Sequence, residues 1–387
     1  MTSGAVNIEP ALAALAAALR GEGPAVELSA GPDGSPVVGL VETPGFEDAA
    51  VVVRTSGSTG VPKATVLTVD ALAASSMATA MALKGEGQWL LALPVQFVAG
   101  VQVLVRSLFA GTRPWAMDLS GGFTPEAFTS AARELTDKIR FTSLVPTQLQ
   151  RLLEEPSAET LAVLRRFNAV LLGGAPASAE LLSAACEAGV RVVTTYGSAE
   201  TCGGCVYDGV PLERVEVSIA ADGRILLGGA TIAAGYLDEP GLTDAAFTEA
   251  DGTRWYRTND LGGLSADGVL TVHGRADDVV ITGGVKVSAA HVQAELEKLD
   301  GVRAAFVAGV PSAEWGQALA AFVVLADETP KAADDLAARL AAGDAPGLAG
   351  ALVPKTLLTA AELLMLPNGK PDRLGMTVRL DAHHQGK

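Results

Sequence analysis

The chain has 387 residues, of which 49% are hydrophobic and 19% are charged, and its formal net charge is -16 at pH 7. A chain of this length and composition can bury a large core and form more than one domain, which excludes a disordered protein. The acidic balance excludes binding to nucleic acid or to an anionic membrane through a general basic surface. Anionic substrates would therefore have to be held by a few well-placed Lys and Arg side chains.

The first predicted element is an Ala- and Leu-rich helix in the stretch MTSGAVNIEPALAALAAALRG. This stretch lacks the positively charged region that begins a signal peptide. The most apolar window, residues 89–105, is interrupted by Pro94, Gln96 and Gln102 and is too short to cross a bilayer as a helix. We therefore expect a soluble, cytoplasmic protein without integral membrane association.

A predicted strand, VVVR, is followed by the Ser- and Gly-rich stretch TSGSTGVPKA at residues 55–64. Its glycines let backbone N–H groups approach a ligand, its hydroxyl groups add donors, and Lys63 adds a compact positive charge. These features suit a phosphate chain, although a short Ser/Gly cluster is usually a solvated turn. The stretch is not the P-loop pattern, because Lys63 follows Val61 and Pro62 rather than a glycine.

Strands and helices alternate between residues 89 and 196. The predicted strands are WLLAL, FTSLV, NAVLL and RVVTT, and two helices are predicted to begin after Thr124 and Ser178, which are typical capping residues. Strand–helix–strand units of this kind build a parallel sheet that is covered by helices on both faces. Ligands of such sheets bind at the carboxyl ends of the strands, where the stretches GGA and YGSAE lie.

The rest of the chain does not continue this alternation of strands and helices. Residues 205–273 contain short predicted strands and glycine turns, which indicate a small β-rich subdomain. A helix capped by Ser288, the strands VRAAFVAGV and ALAAFVVLA, an Ala-rich helix and the turn LPNGKPDR follow. These elements predict a compact α+β domain of roughly 100 residues.

The three cysteines, Cys186, Cys202 and Cys205, do not form a disulfide framework. The pair in CGGC has the spacing of a redox or zinc motif, but no second pair exists and the four histidines lie far away in the sequence. We therefore expect Cys202 and Cys205 to be structural or incidental.

Five stretches, TSGSTGVPKA, YGSAE, YRTND, GRADDVVITGGVKV and LPNGK, occur in this order over residues 51–373. Together they resemble the adenylate-forming superfamily of acyl-CoA ligases, luciferases and peptide-synthetase adenylation domains. The resemblance implies an α/β fold, in which residues 1–276 form a large domain with parallel sheets flanked by helices and a small β-rich subdomain. Residues 277–387 would form a smaller, mobile α+β domain that is hinged at Asp277.

The resemblance also implies ATP, Mg²⁺ and coenzyme A as cofactors and assigns roles to residues. In the family, a carboxylic acid attacks the α-phosphate of ATP to give acyl-AMP, and fixed cations stabilise the charge that develops. Lys370 matches the catalytic lysine, and Glu200 matches the carboxylate that holds Mg²⁺. The positions that match nucleotide or coenzyme contacts are Thr55, Ser56, Gly57, Ser58, Thr59, Gly60, Lys63, Gly174, Ala175, Tyr196, Gly197, Ser198, Thr201, Asp260, Arg275, Gly284 and Lys286.

Each of these matches has a structural alternative. Lys370 could be a surface lysine in a turn, and Tyr196, which matches the aromatic that stacks on adenine, could be a core residue. Asp260 matches the acceptor of the ribose hydroxyls, and Arg275 matches a ribose and phosphate contact or forms a structural salt bridge.

In the family, the small domain rotates after adenylation. This rotation withdraws the catalytic lysine and brings the segment that matches GGVKV toward a pantetheine tunnel.

Three departures from the family pattern affect the expectations. Full-length relatives carry a longer segment before the first motif, so we expect one subdomain to be reduced. The usual threonine of YGxTE is Ala199, for which Ser198 or Thr201 could substitute. The usual glycine of TGD is Asn259, a residue that tolerates the left-handed region of backbone space.

The stretches SLVPTQLQRLL, VLLGGAPAS and SAETCGGC most resemble the o-succinylbenzoate–CoA ligase branch, which acts in menaquinone biosynthesis. Because that substrate is an aromatic dicarboxylic acid, its second carboxylate needs a partner, for which Arg106 and Thr147 are candidates; a purely structural role for Arg106 is an equal alternative. Another aryl or acyl acid, transfer to a carrier-protein thiol and a non-catalytic nucleotide-binding relative stay open, and so does a homo-oligomer.

Overall fold

The structure is a computed structural model, and it describes residues 6–31, 34–56, 62–327, 329–366 and 371–386. The chain divides into two compact units. Unit 1 consists of Met1–Ser218, Leu226–Thr258 and Leu264–Leu270, and unit 2 consists of Ile219–Ile225, Asn259–Gly263 and Thr271–Lys387. The domain boundary at Asp277 that the resemblance implies stays a prediction.

The elements before residue 276 are mostly short. The helices are α1 (Glu9–Leu19), α2 (Val69–Ala82), α3 (Val98–Phe109), α4 (Pro125–Arg133), α5 (Pro146–Leu153), α6 (Ala158–Leu164), α7 (Ala179–Glu187), α8 (Pro240–Ala246) and a 3-10 helix (Ala199–Thr201). The strands are β1 (Ala25–Ala30), β2 (Pro36–Val41), β3 (Ala49–Ser56), β4 (Pro62–Thr68), β5 (Gln88–Leu91), β6 (Trp115–Ala116), β7 (Arg140–Leu144), β8 (Ala169–Leu172), β9 (Val192–Ser198), β10 (Gly203–Tyr207), β11 (Val210–Pro211), β12 (Val215–Ile219), β13 (Arg224–Gly229), β14 (Gly235–Tyr236), β15 (Phe247–Ala250), β16 (Thr253–Leu264) and β17 (Leu270–Arg275).

The elements after residue 275 belong to unit 2. They are the strands β18 (Val279–Thr282), β19 (Val285–Ser288), β20 (Val302–Ser312), β21 (Gly316–Leu325) and β22 (Thr356–Ala360), the helices α9 (Ala289–Glu297), α10 (Pro330–Ala342) and α11 (Arg373–Gln385), and two 3-10 helices (Ala276–Asp278 and Gly350–Leu352).

A seven-stranded sheet with the order β11-β10-β9-β8-β7-β5-β6 forms the centre of unit 1. Its strands β9, β8, β7, β5 and β6 are parallel, whereas β10 runs antiparallel to β9. The buried side chains of Phe128, Leu149, Leu164 and Phe167 pack the helices against this sheet. The prediction of an α/β fold with helices on a parallel sheet is therefore confirmed.

A second sheet of unit 1, with the order β14-β4-β3-β1-β2, is mainly antiparallel. Its two hairpins, β1–β2 and β3–β4, join neighbouring strands directly, which is possible only for antiparallel strands, and one parallel contact pairs Val26 with Val51. The expectation of parallel sheets thus applies to the seven-stranded sheet and not to this one. The hairpin β3–β4 pairs Thr55 with Lys63.

The predicted helix starts agree with the structure because capping is a local effect. The side-chain oxygens of Thr124, Ser178 and Ser288 accept hydrogen bonds from the backbone N–H groups three residues later, at the beginnings of α4, α7 and α9. In α4, Pro125 also occupies the first helical position, where its missing N–H costs nothing.

Two further sheets complete the fold. One sheet has the strand order β12-β13-β16-β15, with β17 paired to β16. The other sheet has the order β19-β18-β21-β20, with β22 paired to β21. In unit 2, α9 and α10 contribute Val292, Leu296, Leu336 and Leu340 to a core under the last sheet. Among the residues that the structure describes, no helix is long and apolar enough to span a membrane.

Cys202 and Cys205 are completely buried in unit 1, and Cys186 is exposed. Burial raises the pKa of both buried thiols, that of Cys205 to about 12. Across the described ranges, no group of three or more His, Cys, Asp or Glu side chains could hold a metal ion. The expectation of a structural role for this pair agrees with its burial.

Candidate active site

The carboxyl ends of three parallel strands define the candidate site in unit 1. The registers pair Leu144 of β7 with Leu172 of β8, and Leu172 with Thr194 of β9, so all three strands end along one edge of the sheet. Thr147 follows β7 within the first turn of α5, Gly174 and Ala175 follow β8, and β9 itself runs through Tyr196, Gly197 and Ser198 to the 3-10 helix. The structure therefore brings these predicted site residues to the same edge.

The glycines at this edge permit a close approach of backbone segments. A Cβ atom on Gly197 would lie 2.1 Å from the carbonyl oxygen of Gly203 on the neighbouring strand β10, and one on Gly173 would lie 2.3 Å from Oγ1 of Thr195. Gly174 has a φ of 83°, which an L side chain rarely adopts. Larger residues at these positions would push the strand ends apart.

Hydroxyl groups fix the turn that follows β9. Oγ1 of Thr201 accepts a hydrogen bond from the N–H of Ser198 at 2.9 Å and donates to the carbonyl oxygen of Gly203 at 2.7 Å. In contrast, Oγ of Ser198 is buried and has no partner among the described residues. Of the two proposed substitutes for the family threonine, Ser198 is therefore the one with a hydroxyl group left for a ligand.

The Glu200 carboxylate lies in this turn and is 7% exposed. Its Oε1 accepts a hydrogen bond of 2.8 Å from the hydroxyl group of Tyr236, which is 2% exposed. Burial raises the pKa of Tyr236 above its usual value, and the nearby charge of Glu200 raises it further, so the phenol keeps its proton. Sequence reasoning missed Tyr236, because no predicted element or motif that we considered includes it.

Lys63 contacts the same tyrosine, since its Nζ lies 4.9 Å from the centre of the Tyr236 ring. Thr55 lies beside Lys63 as its partner in the β3–β4 ladder, and Ser56 ends β3. The other residues of the predicted phosphate loop, Gly57, Ser58, Thr59 and Gly60, lie outside the described residues.

The Glu200 site fits the chemistry of Mg²⁺. Within the described part of the chain, no nitrogen of Lys, Arg or His lies within 4.0 Å of the Glu200 carboxylate, which leaves a buried anion without a cationic partner. Mg²⁺ typically binds one or two carboxylates together with waters and substrate phosphates, not a complete set of protein ligands. A single buried carboxylate, whose hydrogen-bond partner Tyr236 also contacts Lys63, meets this requirement.

Arg106, a candidate from the sequence for the acid pocket, lies elsewhere in unit 1. Its guanidinium carbon stands 5.3 Å from the centre of the Trp89 ring, and its Nη2 donates to the hydroxyl group of Tyr207 at 3.5 Å. The side chain is 7% exposed and lines a cavity of about 590 Å³ between the carboxyl-terminal halves of α2 and α3.

The cavity of Arg106 is not at the edge where the strands end. Two of its walls, Trp89 and Phe141, come from the beginnings of β5 and β7, whereas Thr147 follows the end of β7. From Phe141 to Leu144 the strand alone spans about 10 Å. The structure therefore does not bring Arg106 and Thr147 together, and the prediction that Arg106 binds the acid is not supported by its position.

Gln102, which sequence reasoning also missed as a site residue, connects α3 to the turn of Glu200. It lies one helical turn before Arg106, and its Nε2 donates to the carbonyl oxygen of Cys202 at 2.5 Å and to Oγ of Ser75 at 3.2 Å. Its Oε1 is buried and has no partner in the described ranges. The only signal in the sequence is a polar residue that interrupts an apolar window.

Unit 2 contains the predicted ribose contacts. Nε and Nη2 of Arg275 each donate to the carboxylate of Asp277 at 2.8 Å, and Nη1 lies 3.9 Å from Oδ1 of Asp260. The hydrogen bonds to Asp277 raise the pKa of Arg275, although burial opposes them. Burial works to raise the pKa of Asp277, but the contacts with Arg275 outweigh it and lower that pKa. The predicted hinge residue thus holds a predicted nucleotide contact.

Two of the remaining predicted residues of unit 2 lie on the hairpin of β18 and β19. Gly284 belongs to the turn between β18 and β19, and Lys286 is exposed on β19. Lys370 lies outside the described residues, so its catalytic role stays a prediction. The residues on either side of that segment, Met365 and Pro371, pair as an antiparallel bridge.

Two family profiles match separate parts of the chain. Residues 21–237 match the profile of the AMP-binding enzyme family, and residues 291–370 match that of the AMP-binding enzyme C-terminal domain. Over 286 residues the chain is 45% identical to the probable 2-succinylbenzoate–CoA ligase of Mycobacterium tuberculosis, and this alignment covers 73% of each chain.

Two solved structures of o-succinylbenzoate CoA synthetase (MenE) from Bacillus subtilis are also similar. The complex with the acyl-adenylate intermediate OSB-AMP has a TM-score of 0.72 and 26% identity, and the match covers 88% of this chain and 72% of that one. The complex with ATP and magnesium ion has a TM-score of 0.68 and 27% identity, covering 84% and 69% of the two chains. From the profile match and the mycobacterial relative, the chain belongs to the family of AMP-binding enzymes.

Proposed function

We propose that this chain is a 2-succinylbenzoate–CoA ligase, which uses ATP and Mg²⁺ to activate 2-succinylbenzoate as acyl-AMP and then transfers the acyl group to coenzyme A. The similarity to the mycobacterial relative, in both identity and coverage, carries this proposal. The similarity to the B. subtilis enzyme, whose solved complex contains OSB-AMP, also supports 2-succinylbenzoate as the acid substrate.

In the first half-reaction, a carboxylate oxygen of the acid forms a bond to the α-phosphorus of ATP, and the bond to pyrophosphate breaks. We assign Lys370 and Lys63 to the negative charge that develops on the phosphate oxygens. The hydroxyl group of Ser198, which has no partner among the described residues, is available as a further donor to a phosphate. Glu200 would hold Mg²⁺, which supplies positive charge next to the phosphates when it is bound.

In the second half-reaction, the sulfur of coenzyme A forms a bond to the acyl carbon, the bond between that carbon and the phosphate oxygen breaks, and AMP leaves. The proton of the thiol passes to solvent. We assign Asp260 and Arg275 to the ribose of the nucleotide, and Gly284 and Lys286 to the approach of the thiol. A rotation about Asp277 between the two half-reactions is part of this proposal.

The second carboxylate of 2-succinylbenzoate needs a hydrogen-bond or charge partner, because an isolated buried anion costs several kcal/mol. Thr147 is the second residue of α5, which follows the carboxyl end of β7, and its hydroxyl group and the helix N-terminus both favour an anion. We therefore assign Thr147, and not Arg106, to the acid.

Pyrophosphate exchange with a panel of acids tests the proposal. The panel should include 2-succinylbenzoate, benzoate, succinate and a fatty acid, and mass spectrometry should identify the thioester that forms when coenzyme A is added. We expect exchange and thioester formation with 2-succinylbenzoate. Exchange with another acid alone would contradict the assignment of 2-succinylbenzoate as the substrate. Exchange without formation of a coenzyme A thioester would favour transfer to a carrier-protein thiol. If no acid supports exchange, a non-catalytic nucleotide-binding relative is favoured.

A further inference from the structure

Tyr236 touches two of the side chains that the proposed function places at the nucleotide. Its hydroxyl group donates to Glu200, and its ring faces the ammonium group of Lys63. We propose, on the basis of the proposed function, that Tyr236 is a positioning residue: it orients the Glu200 carboxylate toward Mg²⁺ and keeps Lys63 away from that carboxylate.

Strand pairing explains how one tyrosine reaches both side chains. β14 pairs with β4 so that Tyr236 lies opposite Thr65, and Lys63 is two residues before Thr65 on the same face of β4. A diagonal neighbour of this kind is within reach of an aromatic ring and a long side chain. On the other side, the N–H of Ala233 donates to the carbonyl oxygen of Glu200 at 2.9 Å, which ties the segment before β14 to the turn of Glu200.

The ring is held in place by packing. Its centre lies 5.4 Å from that of Phe247 in an edge-on arrangement, and the N–H of Tyr236 donates to Oγ1 of Thr243 at 2.9 Å. A Cβ atom on Gly235 would lie 2.6 Å from the side chain of Thr243, so α8 packs tightly against β14. A side chain with this support can fix the direction of the group that it contacts.

The contacts of Tyr236 separate the positive charge of Lys63 from the negative charge of Glu200. A lysine beside a buried carboxylate would form an ion pair, which would occupy both groups. Here the ring face takes the ammonium group, and the hydroxyl group takes one carboxylate oxygen. Within the described ranges no salt bridge joins Lys63 to Glu200. The second oxygen of Glu200 and the donors of Lys63 therefore stay available to a metal ion and to phosphate.

Binding of ATP with and without Mg²⁺ measures the positioning effect. Calorimetry should give the Kd of ATP with excess Mg²⁺ and with EDTA, and the ratio of the two values is the gain that the metal provides. In Tyr236→Phe we expect this gain to fall by about tenfold, the usual effect of removing a group that orients a metal ligand, while the Kd in EDTA stays unchanged.

Tyr207→Phe is the matched control. Tyr207 is also buried in unit 1, and its hydroxyl group contacts Oγ1 of Thr79 at 3.0 Å and Nη2 of Arg106 at 3.5 Å. Removing this hydroxyl group should leave the gain from Mg²⁺ at the wild-type value. An equal loss in both variants would mean that a buried tyrosine hydroxyl group supports the fold in general, and it would overturn the proposal.

A double variant tests whether Tyr236 acts through Glu200. Glu200→Gln should remove most of the gain from Mg²⁺, and adding Tyr236→Phe to it should remove no more. Independent losses that multiply would overturn the positioning role.

Tyr236→Leu, which also removes the ring, should weaken ATP binding in EDTA, because Lys63 can then pair with Glu200. If Tyr236→Leu binds ATP in EDTA as wild type does, the role toward Lys63 is wrong.

Electron paramagnetic resonance of Mn²⁺ with ATP gives a readout without turnover. We expect Tyr236→Phe to bind Mn²⁺ more weakly than Tyr207→Phe by about tenfold. Equal binding would overturn the inference about Tyr236. A wild-type protein that binds Mn²⁺ and ATP but not 2-succinylbenzoate would overturn the proposed substrate and leave the inference standing, whereas one that binds no nucleotide with metal would overturn both.

Discussion

At the scale of single residues, hydrogen-bond partners separate the groups that hold the fold from those left for a ligand. The hydroxyl group of Thr201 is fully used by the backbone of its own turn, whereas Ser198 and Gln102 each keep a buried oxygen without a partner among the described residues. Buried polar atoms are normally satisfied, so unpartnered ones that cluster at the end of β9 point to a ligand. Glu200, two residues after Ser198, likewise has no cationic partner among the residues that the structure describes.

The first prediction concerns the acid. Thr147→Val should raise the KM for 2-succinylbenzoate by roughly tenfold, because one hydrogen bond to a charged group is lost, and Thr147→Ser should restore it. Arg106→Leu should leave this KM unchanged, since its guanidinium lies in a cavity at the other end of the strands. Steady-state kinetics with each substrate varied in turn would decide. A large rise in KM for Arg106→Leu would return Arg106 to the acid pocket.

The second prediction concerns the thiols. In the folded protein, a thiol reagent such as DTNB should titrate one cysteine per chain, Cys186, because Cys202 and Cys205 are completely buried and burial raises their pKa values. In guanidinium chloride all three should react. Rapid reaction of a second thiol in the native protein would contradict the buried, structural role of the pair.

At the scale of elements, local chemistry could be predicted from the sequence and pairing between distant segments could not. Thr124, Ser178 and Ser288 mark helix starts because each cap bonds within three residues of itself. YGSAE could be placed at a strand end because parallel strands share an edge. The bond between Tyr236 and Glu200 joins residues 36 positions apart through the pairing of β14 with β4, and no periodicity or spacing reports such a contact.

The third prediction tests the packing of β9 against β10. Gly197→Ala should lower the free energy of unfolding by about 1–3 kcal/mol, the usual cost of overpacking, because its Cβ would meet the carbonyl oxygen of Gly203. Gly241→Ala is the control, since a Cβ there has open space in α8, and it should stabilise by about 0.4–1 kcal/mol. Urea denaturation measures both, and an unchanged stability for Gly197→Ala would contradict the close approach.

At the scale of the whole molecule, the residues of the proposed mechanism are divided between the two units. Glu200, Ser198 and Thr147 belong to unit 1, whereas Asp260 and Arg275 belong to unit 2. Arg275 is bound to Asp277 in this structure, so a predicted nucleotide contact and the predicted hinge share one ion pair. Motif order in the sequence could not predict this division, because the motif YRTND is itself divided between the units after Thr258, nor could it predict which partners the motif residues take.

The last prediction follows from this division. Lys370→Ala should abolish the formation of acyl-AMP, with a loss of about a hundredfold or more, because the charge that develops on the phosphate loses a fixed cation. Formation of the thioester from supplied acyl-AMP should be spared, since the proposed rotation about Asp277 removes Lys370 from the site before the thiol enters. Lys286→Ala should show the reverse pattern.

Rapid-quench measurements of the two half-reactions, with circular dichroism as a check of folding, would test this expectation. Lys298→Ala is the control, because Lys298 is an exposed lysine of unit 2 that pairs with Glu295, and it should leave both half-reactions unchanged. If both half-reactions fall together in a folded Lys370→Ala protein, one arrangement of the chain serves both steps, and the proposed alternation is wrong.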